Sequence, residues 1–84
     1  DPDGVDESFY RNADIYPNPV KDILYISTPD MRNITIATIT GSVVLNQDVK
    51  DDKLSIDVND FNKGIYILRI STSTETITEK IVVY

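Results

Sequence analysis

The sequence predicts an all-β domain, a sandwich of about seven short strands, on three observations. Isoleucine and valine together number 20 of the 84 residues, leucine and alanine only 6, and threonine adds 8 more β-branched side chains. Branched side chains lose rotamer freedom on a helix but pack well on a pleated surface, so this balance favours strands. From Ile15 onward, short apolar alternations are divided by turn residues about every ten positions, the spacing of an antiparallel sandwich. Finally, no segment carries apolar residues at helical spacing.

The elements follow in order. Residues 1–12 hold Asp1, Asp3, Asp6 and Glu7 with apolar residues at no period, and read as an acidic linker tail; the folded domain is expected over 13–84. A first strand over 13–16 meets Pro17-Asn18-Pro19, where two fixed φ angles and two missing N–H donors stop any ladder. Lys21-Asp22 opens a second strand over 23–27, closed by Pro29-Asp30. A third, over 33–40, alternates through Ile34 and Ile36 and then steps by three to Ile39, which predicts a bulge or a strand end.

Thr40-Gly41 forms a tight connection to a fourth strand over 43–47, paired with the third, because Gly supplies positive φ. After a polar turn, Leu54, Ile56 and Val58 alternate with Ser55, Asp57 and Asn59, a strand with one face in the core and one in water. A turn anchored by Phe61 leads to residues 65–70, apolar enough to predict a central strand with both faces largely covered. The last strand, over 75–84, sets Ile77, Ile81 and Val83 on one face and Thr78, Lys80 and Val82 on the other.

Composition narrows the chemistry. With no His and no Cys, the chain lacks any Ser-His, Cys-His or His-metal site, any disulfide and any iron-sulfur cluster. Fourteen acidic against eight basic residues give a net charge of −6 with no basic strip, which disfavours nucleic acid and anionic membranes as partners. No apolar run reaches the roughly 18 residues that span a bilayer. A start at Asp1-Pro2-Asp3 is expected of a piece of a longer protein.

Four constellations remain. Asp1, Asp3, Asp6 and Glu7 around Gly4 present hard oxygen ligands but lack the EF-hand spacing, so no metal is assigned, and a calcium-dependent adhesion module is the weakest functional reading. Asp48, Asp51, Asp52, Asp57 and Asp60 sit in or beside turns, where aspartate serves turn chemistry rather than a general acid and base. No catalytic residue or cofactor is assigned. Among the aromatics, Tyr10, Tyr25 and Tyr84 are the candidates for stacking on a sugar. Asn33-Ile34-Thr35 is formally a glycosylation triplet, yet its Thr falls in a strand.

Three blocks together resemble one family, the type A C-terminal sorting domains of the type IX (Por) secretion system of Bacteroidetes. They are Tyr16-Pro17-Asn18-Pro19-Val20 with the strand through Ile26; Ile34 to Leu45 with its hairpin Ile39-Thr40-Gly41-Ser42-Val43-Val44-Leu45; and Ile56-Asp57-Val58 through Lys63-Gly64-Ile65-Tyr66 to Ile70, ending in Glu79-Lys80-Ile81-Val82-Val83. Ala37 departs from the large residue common in that family. The resemblance implies an Ig-like β-sandwich that is not an enzyme but a folded export signal, transiting the periplasm to the cell surface or the medium. It also implies an upstream passenger, outer-membrane translocon and shuttle proteins as partners, and removal by a sortase-like cysteine protease. Pro17, Asn18, Pro19, Gly64, Tyr66, Lys80, Ile81, Val82 and Val83 are then the recognition candidates. Gly64 and Tyr66 also have structural readings, and Lys80 is either an edge gatekeeper or a contact point. The runner-up is an Ig-like accessory or carbohydrate-binding module of a secreted protein.

Overall fold

The computed structural model of the chain describes residues 13–84, so the acidic tail and its calcium-type carboxylates lie outside the described residues. Seven strands are present among them: β1 (Asp14–Tyr16), β2 (Ile23–Ser27), β3 (Met31–Thr38), β4 (Val43–Asp48), β5 (Lys53–Asp57), β6 (Gly64–Thr72) and β7 (Thr76–Val83). They form two antiparallel sheets, ordered β1-β2-β5 and β4-β3-β6-β7. This is the all-β sandwich expected, and no described helix is long and apolar enough to cross a membrane.

The core follows strand parity. Leu24 and Ile26 of β2 and Ile56 of β5 turn inward from one sheet; Ile34 and Ile36 of β3, Tyr66, Leu68 and Ile70 of β6, and Ile81 and Val83 of β7 turn inward from the other. Alternation along each strand sends every second side chain to one face, so these residues share a single layer between the sheets. Val20 and Val58, just outside strands, close its ends.

Two elements, β3 and β6, differ from the sequence reading. β3 begins at Met31, two residues early, because buried Met31 pairs with Thr72, and its register on β6 shifts before Asn33. It ends at Thr38, so the odd step to Ile39 marks a strand end, and Ile39 stands exposed in the turn; a bulge in the β3–β4 register falls between Ile36 and Ala37. β6 is central, but its outer face is only partly covered: Ile65 and Arg69 are exposed and Ile67 is half-buried. A central strand in a two-layer sandwich has neighbours on both sides and a sheet on one face, which leaves its other face to solvent.

Turn chemistry matches the residues. Gly41, at φ +100°, donates its N–H to the Thr38 carbonyl at 2.9 Å, closing the β3–β4 connection. Asp30 holds a left-handed φ of 58° before β3. Its backbone N–H donates to the Asp52 carboxylate at 3.1 Å, and its own carboxylate accepts from the Ser73 hydroxyl at 2.7 Å. Aspartate tolerates this backbone region better than most residues because its short side chain bonds locally.

Candidate functional site: a corner closed by Asn18 and the last strand

The recognition candidates lie far apart in sequence and are brought to one corner of the sandwich. β7 is the outer strand of its sheet, and the segment after β1 runs along its free side. Val20 forms a parallel bridge with Val83: its N–H donates to the Val82 carbonyl at 2.8 Å, and its carbonyl accepts from the Tyr84 N–H at 3.0 Å. One step earlier, Asn18 substitutes its side chain for a strand. Its Nδ2 donates to the Lys80 carbonyl at 2.9 Å, and its Oδ1 accepts from the Val82 N–H at 3.1 Å. A primary amide presents the same donor and acceptor pair as a peptide group, so it can continue a ladder where proline cannot.

The flanking prolines set this up. Pro17 and Pro19 lack N–H groups, so neither can extend a backbone ladder, and the Tyr16-Pro17 and Asn18-Pro19 bonds are both cis. Pro17, Asn18 and Pro19 are exposed, whereas Val20 is wholly buried and anchors the segment in the core. On the inner side of β7, Gly64 pairs with Val83 and Tyr66 with Ile81. The Gly64-Ile65-Tyr66 block and the terminal block are therefore cross-strand partners, with Asn18 on the opposite side of β7.

Each candidate has a definite place. Gly64 adopts φ +150°, a conformation side-chain-bearing residues rarely adopt, although a Cβ there would meet no atom within 4 Å. The Tyr66 ring is buried against Phe61, centroids 5.4 Å apart, and its hydroxyl donates to the Asn62 carbonyl. Ile81 and Val83 are core residues, Val82 is half-buried, and Lys80 projects from the outer face. The surface offered at this corner is thus Pro17, Asn18, Pro19, Lys80 and Tyr84, with Gly64, Tyr66, Ile81 and Val83 shaping it from beneath.

The other candidates fall elsewhere. Asp52 caps the Asp30 N–H, Asp57 the Asn59 N–H at 2.9 Å, and Asp51 the Asp52 N–H at 2.7 Å, so three of the five turn aspartates hold backbone. The described residues hold no cluster of three or more side chains able to bind a metal ion. Tyr25 stacks on Tyr16, centroids 5.5 Å apart and planes 28° from parallel, across the β1–β2 ladder. Both rings are about half exposed, 55% for Tyr16 and 44% for Tyr25, over an open groove with Asp14, Ser27, Lys53 and Ser55. The sequence reading passed over Tyr16 as Tyr25's partner; the signal was their shared outward parity once β1 and β2 pair.

The profile of the family described as secretion system C-terminal sorting domain matches residues 14–84. Beta-agarase D of Zobellia galactanivorans is 44% identical over 70 residues, which cover 82% of this chain and 14% of that protein. A funoran endo-beta-hydrolase of Wenyingzhuangia aestuarii is 39% identical over 69 residues, 77% of this chain and 9% of that protein. The chain thus spans no more than about a seventh of the length of these relatives. Among solved structures, PorZ, an essential bacterial surface component of the type IX secretion system of Porphyromonas gingivalis, superposes with a TM-score of 0.76 at 16% identity. The match covers 96% of this chain and 12% of PorZ, a likeness of fold. The chain belongs to the secretion system C-terminal sorting domains, and its β-sandwich is a sorting signal of type IX secretion.

Proposed function

We propose that residues 13–84 are read in the folded state at the corner where Asn18 closes on β7, by outer-membrane translocon and shuttle proteins met from the periplasm. Residues 1–12 link the domain to an upstream passenger, and a hydrolase of the kind its relatives are named for is the passenger proposed. A sortase-like cysteine protease then removes the domain, leaving the passenger at the surface or in the medium. The domain itself supplies no catalysis in this scheme.

One observation carries the reading: family motifs more than 60 residues apart share one hydrogen-bonded corner, Asn18 with Lys80 and Val82. A surface assembled from both ends of a domain exists only when it is folded, which suits a signal read as a shape. Lys80 supplies its exposed charge.

The test is export of a fluorescent reporter carrying residues 1–84 in a Bacteroidetes host with and without a working type IX system. Lys80→Ala should leave the melting temperature within a degree or two, since an exposed side chain contributes little to stability, and should cut export. Unchanged export of the variant would remove Lys80 from the recognition surface. A carbohydrate-binding role has its own observation in the exposed Tyr16–Tyr25 pair. Binding of agarose oligosaccharides that is lost in Tyr25→Ala would establish it.

A further inference from the structure

Four strands end a sheet: β1 and β5 in one, β4 and β7 in the other. A sheet edge presents unpaired N–H and C=O groups on which a foreign strand can add, and proteins guard it with short length, proline, charge or a covering segment. Three of the four edges are guarded. β1 is three residues long and runs into Pro17. β5 carries Lys53 and Asp57 at its two ends. β7 bears Glu79 and Lys80 at mid-strand, and its far half is covered by Asn18 and Val20.

β4 is the least guarded, with a single charge, Asp48, at its C-terminal end. Its first five residues, Val43, Val44, Leu45, Asn46 and Gln47, are uncharged, and only Leu45 is half-buried. Val43 and Val44 remain 60% and 44% exposed. The phase of the ladder is set by the Val49 N–H, which donates to the Arg32 carbonyl at 2.9 Å. Alternation then turns Gln47 and Leu45 toward β3 and the backbone groups of Asn46 and Asp48 outward, where no described strand pairs with them.

A second feature lies beside this edge. Across from Val43 stands Ala37, and the missing bulk leaves a shallow hollow of about 290 Å³ on the outer face, lined by Thr35, Ala37, Ile39, Val43 and Ile67 with Arg69 at its side. An open ladder flanked by a side-chain hollow is what strand addition requires: the backbone supplies affinity and the hollow supplies choice of side chain.

We infer that β4 is a docking edge for an extended segment of a partner protein, apolar in the middle and basic at the end that meets Asp48. The apolar part matches Val43, Val44 and the Ala37 hollow. The basic end matches Asp48, whose carboxylate also accepts from Asn33 Nδ2 at 3.0 Å, and the Asp51 and Asp52 carboxylates of the following turn, which Lys50 and Lys53 flank. A second copy of the chain is the poorer occupant, because each brings a net charge of −6. The inference goes beyond the export reading, and its test uses no export, so either can fail alone.

The experiment is an amide NMR titration of the 84-residue chain with an octapeptide of alternating valine and threonine bearing an arginine at each end. Saturable shifts centred on Val44, Asn46 and Asp48 are expected, with binding at least about tenfold weaker when the arginines are replaced by glutamates. Val44→Lys, at an exposed position, should keep the melting temperature and abolish these shifts. Three results overturn the inference: no saturable shifts at millimolar peptide, shifts centred on Thr76 and Thr78 instead, or concentration-dependent protection of the β4 amides without peptide, which assigns the edge to a second copy.

Discussion

Replacing Asn18 by alanine removes two hydrogen bonds to β7 at once and returns the Lys80 carbonyl and the Val82 N–H to water. Each bond is worth about 1 kcal/mol net, so Asn18→Ala should cost about 2 kcal/mol in chemical unfolding. Asn18→Asp keeps the acceptor for the Val82 N–H but sets a carboxylate against the Lys80 carbonyl, and should recover none of the loss; full recovery would mean that the acceptor alone matters. Thr28 runs the other way. It is buried, and its Oγ1 has no hydrogen-bond partner among the described residues. Thr28→Val, of the same shape, should therefore raise stability by about 1 kcal/mol. A loss of that size would assign the hydroxyl a bond the geometry does not show.

Single strands divide along their two faces. On β7, Ile81 is fully buried and Ile77 only partly, so Ile81→Ala should cost about 3 kcal/mol and Ile77→Ala less than half as much, by the same unfolding measurement. The shared face was legible in the sequence, since parity alone put Ile77, Ile81 and Val83 together, as it did Leu54, Ile56 and Val58, but the difference between Ile77 and Ile81 along that face was not. Parity cannot say which strands have a sheet facing them. Val43-Val44 and Val82-Val83 are the same dipeptide, yet the first is exposed and the second packs into the core corner. The difference lies in sheet order, with β4 an open edge and β7 sealed by Val20, and sheet order is a long-range property that local pattern does not carry. The candidate site was legible to the same depth. Its motif residues could be named one by one, but their meeting through the Asn18 side chain could not, because an amide standing in for a strand has no periodicity to read.

The two sheets are tied together across the whole molecule at that corner. The segment leaving β1 in one sheet bonds the edge of β7 in the other, so residues 82–84 contribute Val83 to the core and the partners that hold Val20 in place. Deleting residues 82–84 should cost at least about 4 kcal/mol, from the buried valine and the lost Val20 bonds together, which for a domain this small is most of its stability. Circular dichroism of the truncated chain should show an unfolded or loosely ordered domain at 37 °C. A cooperative melt near that of the intact chain would mean that the sandwich closes without its last residues.

Because synthesis runs from Asn18 toward Val82, the clasp between them cannot form until the final strand of the domain has left the ribosome. On the proposed reading, the corner is in effect a completeness stamp. A chain that stops early, or is clipped within its final strand, lacks the surface altogether rather than displaying a weaker version of it; on the proposed reading, a machine that reads this corner would pass only chains whose sorting domain is whole.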